Sequence, residues 1–404
     1  MARCAWVVAT VLAAGISAHA VGGGELCRMQ APEGLIAHEW GTFTSFSTPD
    51  GKLLYFGTAV ADRLPDFVYT RQRQFAADPG LPAVGAPKSE FWARQRMETP
   101  VIYFYAPKAM SVDVRVDFPQ GLMTEFYPPV TLFGPSTSLD RERPPRDGAL
   151  EWRGVGLTPG TTGAQAPPEV TNGSHYATAR DVAPAAGVHC SHLGSEHVEK
   201  FLFYRGVGDF EMPITIRALG QDRFELACSR KEQWPGGLLV SIEDGKLRWR
   251  AVGALAGSLR LDLAGAGADA AQAAEALVRS LHQAGLFELE ARAMVDTWRR
   301  SWFAENGTRF LAIMPPALCD ELLPLRITPT PVETRRVFVA RLEVLTPEVG
   351  ARIEKVAGEG PGDAPRVSER LRREFGWLGR FYQPALDSRR EATTNPDVRR
   401  RLGG

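Results

Sequence analysis

Between residues 35 and 263 the apolar positions fall in short runs cut by Gly and Pro. Val112, Val114, Val116 and Phe118 alternate with polar residues, the period of a strand with one buried face. Residues 101–105, Val-Ile-Tyr-Phe-Tyr, form an unbroken β-branched and aromatic run that Pro107 closes. The same reading predicts short strands over 149–157, 201–204, 214–217 and 224–228. Residues 238–242 and 247–252 bracket Asp244-Gly245, a strong hairpin signal. Short strands between turns predict an antiparallel, sandwich-like β body over residues 30–263.

The period then changes. An Ala- and Gly-rich stretch at 264–268 predicts a boundary, followed by an α+β domain over 269–395. Asp269 is placed to cap a helix running to His282 and closed by Gly285. Phe287, Ala291, Met294, Val295, Trp298 and Trp302 share one face of a second helix. Its Glu288 and Glu290 at the start and Arg299 and Arg300 at the end suit the helix dipole. Strands are predicted over 309–314 and 336–345, and Thr346-Pro347 starts another helix. Val367, Leu371, Phe375, Leu378 and Tyr382 predict one last helix, followed by an Arg-rich tail. The fold class expected is mainly β with a helical C-terminal part, α+β, without fixed repeats or heptads.

Residues 1–20 change how the rest is read. Arg3, an apolar run over 4–16 and Ala18-His19-Ala20 make the pattern of a cleaved export signal. The mature chain is then expected in the periplasm or secreted, with no transmembrane segment. Export makes disulfides the expected state of the four remaining cysteines. Cys190 and Cys228 flank neighbouring predicted strands, so they are the favoured pair, leaving Cys27 for Cys319. Lysine plus arginine and aspartate plus glutamate are equal at 47 each, which argues against nucleic acid as a partner. Two Pro-rich loops, over 76–90 and 127–170, are long enough to cover a cleft or to lack structure.

Three groups of residues could carry chemistry. His175, His189, His192 and His197, with Glu196 and Glu199 near, are the densest set of metal ligands. Imidazoles with a carboxylate suit a divalent ion such as zinc, although the spacing matches no zinc signature. Cys190 is the alternative fourth ligand if it is not in a disulfide. The second group is His38-Glu39-Trp40-Gly41, a candidate general base beside an aromatic platform. On a strand His38 and Glu39 point to opposite faces, so they would not act together. The third is a set of carboxylates at strand ends, Glu98, Glu125 and Asp181, which could form an acid and base pair. Arg205 could hold an anion or pair with one of these acids. No nucleophile elbow, phosphate-binding loop or dinucleotide fingerprint is present.

The strings EWGTFTSF, METPVIYFY, EKFLFYRGVG, MVDTWRRSWF and RVFVARLEVLTPE together resemble a family of uncharacterised secreted bacterial proteins. The resemblance runs from His38 to about Glu348. It implies export and one shared architecture, and carries no activity or catalytic residues. Two function classes remain. One is a hydrolase-type enzyme using His38, Glu39, Glu125 and Arg205, with or without a divalent metal. The other is a non-catalytic sandwich that binds a small-molecule or polymer ligand or associates with the envelope.

Overall fold

The computed structural model describes residues 33–57, 65–77, 92–135, 146–160, 175–359 and 364–403. The export signal, Cys27, residues 78–90 of the first Pro-rich loop and residues 136–145 and 161–170 of the second lie outside the described residues. The chain is mainly β, in several antiparallel sheets, with helices in its C-terminal part.

A ten-stranded sheet is the middle layer. Its eight longer strands, numbered in chain order, are β1 (Ile36–Ser47), β2 (Gln95–Tyr105), β3 (Gly121–Tyr127) and β4 (Leu202–Gly208). They continue with β5 (Gly236–Glu243), β6 (Lys246–Val252), β7 (Gly307–Ile313) and β8 (Glu333–Val344). The order across the sheet is β6-β5-β7-β8-β1-β2-β4-β3, completed by Tyr69–Thr70 beyond β3 and by Leu53–Leu54 on the end of β1. One face packs on a six-stranded and a three-stranded sheet through Ile102, Phe104, Phe338 and Ala340 against Val114, Trp152 and Leu226. The other packs on helices α1 (Ala270–Gln283) and α2 (Glu288–Phe303) through Val101, Tyr103, Leu238 and Val240 against Leu277, Met294 and Trp302.

Two covered faces explain the unbroken run at 101–105: every position of β2 is buried, so none needs to be polar for solvent. The outer strand Met110–Phe118 alternates, as its sequence predicts, because only one face meets the core. Asp269 caps α1 by accepting from the backbone N–H of Ala271 and Gln272, and Thr346 caps the helix Pro347–Gly358. Trp298 and Trp302 are buried and stacked, so they serve the core.

Several expectations are corrected. β1 and β8 pair in parallel over their full length, Ile36 opposite Glu333 and Ser47 opposite Val344. They join the early and late strands in one sheet, and residues 264–268 lie inside the compact unit 32–404. The single last helix is three elements: Ala364–Phe375, a 3-10 turn Gly376–Phe381 and Tyr382–Ala392. Gly379, with φ 54°, breaks the stripe. The Arg-rich tail is itself a helix, Pro396–Leu402, capped by Asn395. Cys190, Cys228 and Cys319 are free thiols. Cys190 belongs to the six-stranded sheet and Cys228 to the three-stranded one, so adjacency in the strand order did not bring them together. Among the described residues no helix is long and apolar enough to cross a membrane.

Candidate functional site

A line of irregularities crosses the middle of the sheet. The β1–β2 register shifts between Trp40 and Thr42, the β2–β4 register between Phe203 and Gly206, and the β4–β3 register between Arg205 and Gly206. Gly41 is required there: a Cβ would lie 2.7 Å from Phe338 and 2.9 Å from the Pro100 ring. Thr99 is held at φ 50°, costly for a β-branched residue. Such bulges re-aim the side chains that follow them.

Beyond this line β2 carries charge inward. Thr44 of β1 pairs with Arg341 of β8 on one side and with Arg96 of β2 on the other, so the three side chains share one face. Neighbouring strands are about 4.8 Å apart, which sets two arginines some 10 Å apart across a threonine. Each arginine has a glutamate two residues on, on the same face. Arg96 Nε lies 3.0 Å from Glu98 Oε1, and Arg341 Nη2 lies 2.5 Å from Glu343 Oε1. Thr44 Oγ1 donates to Glu98 Oε2 at 2.9 Å, and Arg380 Nη1 donates to Glu98 Oε1 at 2.5 Å. Burial opposes the charge on Glu98, but Arg380 and Arg96 hold its carboxyl well below the usual range.

The positive charges outnumber their partners. Arg96, Arg309, Arg341 and Arg380 face two buried carboxylates, Glu98 and Glu343, and the exposed Glu305 lies 4.0 Å from Arg341 Nη2. Arg309 shares Glu343 at 2.8 Å and also donates to the carbonyls of Ser301, Trp302, Glu305 and Asn306, closing the C-terminus of α2. Arg341 Nη1 is buried with no hydrogen-bond partner among the described residues. Burial pushes the Arg96 guanidinium down to about 9, with Glu98 only partly opposing it. Both are signs of a cation whose counter-charge is incomplete.

These groups line a cleft of about 820 Å³ at the end of the sheet, where β1 and β8 finish and β7 begins. Arg96, Arg341, Glu343 and Arg380 line it from the helix-bearing face. Ser241 and Thr308, hydrogen-bonded to each other at 2.9 Å, line it from the other. Trp377, in the turn Gly376–Phe381, is 36% exposed and overhangs Gly307. A Cβ on Gly307, whose φ is 126°, would meet Arg309 Nη2 at 2.9 Å and Glu343 at 3.3 Å, with the Trp377 ring 3.9 Å away.

The residues expected from sequence are placed elsewhere. His38 is fully buried, its Nδ1 2.8 Å from Glu290 Oε2 on α2. Glu39 faces the opposite side, bonded to Tyr204 and, at 2.6 Å, to Arg336 Nε. The two therefore do not act together, as strand geometry requires. Glu125 and Arg205 are register partners on β3 and β4. Glu125 accepts from Thr124 Oγ1 at 2.6 Å, and Arg205 Nη2 donates to Thr99 Oγ1 at 3.2 Å. Arg205 Nε and Nη1 are buried without a partner among the described residues. Asp181 is exposed, and Glu199 is held by Arg180 at 2.6 Å. None of these lines the cleft. Of the expected acids Glu98 alone reaches the site, behind Arg96 and Arg380.

The histidines do not converge as one set. His189, His192 and His197 lie on the hairpin of Gly187–His192 and Ser195–Glu199. His197 pairs with Cys190, and His189 pairs with Val198, which alternation puts on the other face. His175 begins the short helix His175–Ala179. Among the described residues no three His, Cys, Asp or Glu are grouped to hold a metal ion.

Arg96, Arg341 and Glu343 escaped the sequence reading. Their signal is Arg-x-Glu inside strands that are otherwise apolar, RMETPVIYF and RLEVL. A charged pair at i and i+2 stays on one face and cannot reach solvent from a central strand. No protein-family model matches the chain, and no curated protein matches it.

Proposed function

We propose that this is an exported protein, periplasmic or secreted, that binds an organic anion in the cleft at the end of the sheet. The observation that carries the reading is the gathering of four guanidinium groups, buried Arg96, Arg309 and Arg341 and half-buried Arg380, around two buried carboxylates, with Arg341 Nη1 left without a hydrogen-bond partner among the described residues. A carboxylate or phosphate oxygen supplies both the missing acceptor and the missing charge, and arginine matches either in fork geometry. The volume, about 820 Å³, is within the usual range for small-molecule sites, roughly 300–1,000 Å³.

Binding, rather than hydrolysis, is favoured because His38, Glu39, Glu125 and Arg205 lie away from the cleft. His38 and Glu39 are further committed to separate buried partners.

Thermal melts test the reading. Inorganic phosphate should raise the midpoint beyond chloride at matched ionic strength, because a ligand that binds only the folded state stabilises it by mass action. Arg341→Gln should remove that increment. Equal melts in phosphate and chloride would sink the proposal. For export, the protein recovered from the periplasm or medium should begin at Val21, and a mature chain retaining Met1 would contradict it.

A further inference from the structure

We propose that the anion the cleft takes is a sugar acid or a sugar phosphate, a pyranose ring carrying one carboxylate or phosphate. This rests on the anion-binding reading above and narrows it.

The arginine row accounts for only one end of the ligand. A single oxyanion fills a small part of about 820 Å³, so the remaining space belongs to the body of the molecule. Much of the lining around that space is polar. On the arginine side Asn306 presents an amide, and Glu305, Glu374 and Arg300 charged groups, while Ser241 and Thr308, hydrogen-bonded to each other, line the opposite face. An aliphatic or aromatic body would strip these groups of water without replacing the lost hydrogen bonds. A body with many hydroxyls replaces them, since each hydroxyl both donates and accepts.

Trp377 supplies the contrasting contact. Among the described residues that line the cleft it is the exposed large aromatic side chain, and its ring lies beside Gly307 and Glu343. A pyranose has a C–H face that rests on an indole and a hydroxyl rim that does not. An anionic head for Arg96 and Arg341, a hydroxyl rim for the polar lining and an apolar face for Trp377 together describe a charged pyranose. The reading accounts for an aromatic ring left in solvent next to charged groups, which core packing does not explain.

Calorimetric titration of the mature protein tests this with D-glucuronate, D-glucose 6-phosphate, cyclohexanecarboxylate, D-glucose and inorganic phosphate. Cyclohexanecarboxylate keeps the ring and charge and lacks the hydroxyls; glucose keeps the hydroxyls and lacks the charge. Glucuronate or glucose 6-phosphate should bind at least about tenfold tighter than both, because unpaired polar groups in a site penalise the analogue that lacks hydroxyls. Trp377→Ala should weaken the best charged sugar about tenfold and leave phosphate within about twofold, with Trp377→Phe in between. If cyclohexanecarboxylate matches glucuronate and glucose 6-phosphate, the sugar assignment falls and anion binding stands. If phosphate binds but Trp377→Ala leaves charged sugars unchanged, the sugar assignment also falls. If no anion binds, both readings fall.

Discussion

Arg380, in the turn Gly376–Phe381, places Nη1 2.5 Å from Oε1 of Glu98, 282 residues away in the chain. The pair ties the C-terminal helices to the middle of β2. Glu98 is also held by Arg96 and Thr44, so one carboxylate organises strands β1 and β2 and the turn above them.

The first prediction concerns acid stability. The Glu98 carboxyl titrates well below its ordinary value of 4.5 in the folded protein, where burial is outweighed by Arg380 and Arg96. A depressed folded-state pKa contributes stability that is complete above the unfolded value and is lost as pH falls through the folded one. Glu98→Gln should therefore flatten the acid limb of a stability–pH profile. At neutral pH it should cost about 3 kcal/mol, because breaking one member of a buried pair leaves its partners unpaired. Chemical unfolding at several pH values reads both effects. A parallel acid limb in the variant would count against the assignment.

A second prediction concerns Glu290, whose carboxylate accepts from three groups. His38 Nδ1, the Tyr105 hydroxyl and the Phe287 backbone N–H each lie 2.8 Å away. Glu290→Ala strands three donors and removes the side-chain cap of α2, for a loss of roughly 3 kcal/mol or more in urea unfolding. A change within about 0.5 kcal/mol, the size of an ordinary surface substitution, would show that this cluster is not structural.

How far the sequence reveals this depends on the distance over which each feature is decided. The strand Met110–Phe118 and the helix caps at Asp269 and Thr346 are local, and period and cap chemistry predict them. The opposition of His38 and Glu39 follows from strand geometry alone. The cleft is not local. Arg96 and Arg341 are neighbours only because β8, late in the chain, lies parallel beside β1. The same cause misplaced the expected boundary at 264–268, where composition changes while the sheet continues. The thiol pairing failed because neighbouring strands in sequence belong to different sheets.

A third prediction follows from Arg309, which accepts no alternative role while it closes α2. Its guanidinium bonds four carbonyls at that helix end and Glu343 Oε1 at 2.8 Å. Arg309→Met keeps the apolar stem and removes those donors. Hydrogen exchange should accelerate over the last turn of α2, around Arg300–Phe303, with a stability loss of about 3 kcal/mol. Unchanged exchange there would refute a capping role.

A fourth prediction concerns the thiols. Burial pushes the Cys190 and Cys319 thiols up to about 12, whereas Cys228 is only half-buried. Iodoacetamide at pH 8 should label Cys228 in the native protein and reach the other two only after unfolding, since the thiolate is the reactive form. Peptide mapping by mass spectrometry reads the labels. Recovery of a Cys190–Cys228 crosslinked peptide would overturn the free-thiol assignment.

The proposed anion site turns on the arginine row across Thr44. Diffraction from crystals soaked in selenate locates an oxyanion there, because selenium is found by its anomalous scattering. An anomalous peak should appear within hydrogen-bond distance of both Arg341 and Arg96 and be absent from crystals of Arg341→Gln. Saturating selenate that leaves this position empty, or occupies only exposed surface arginines, would contradict it.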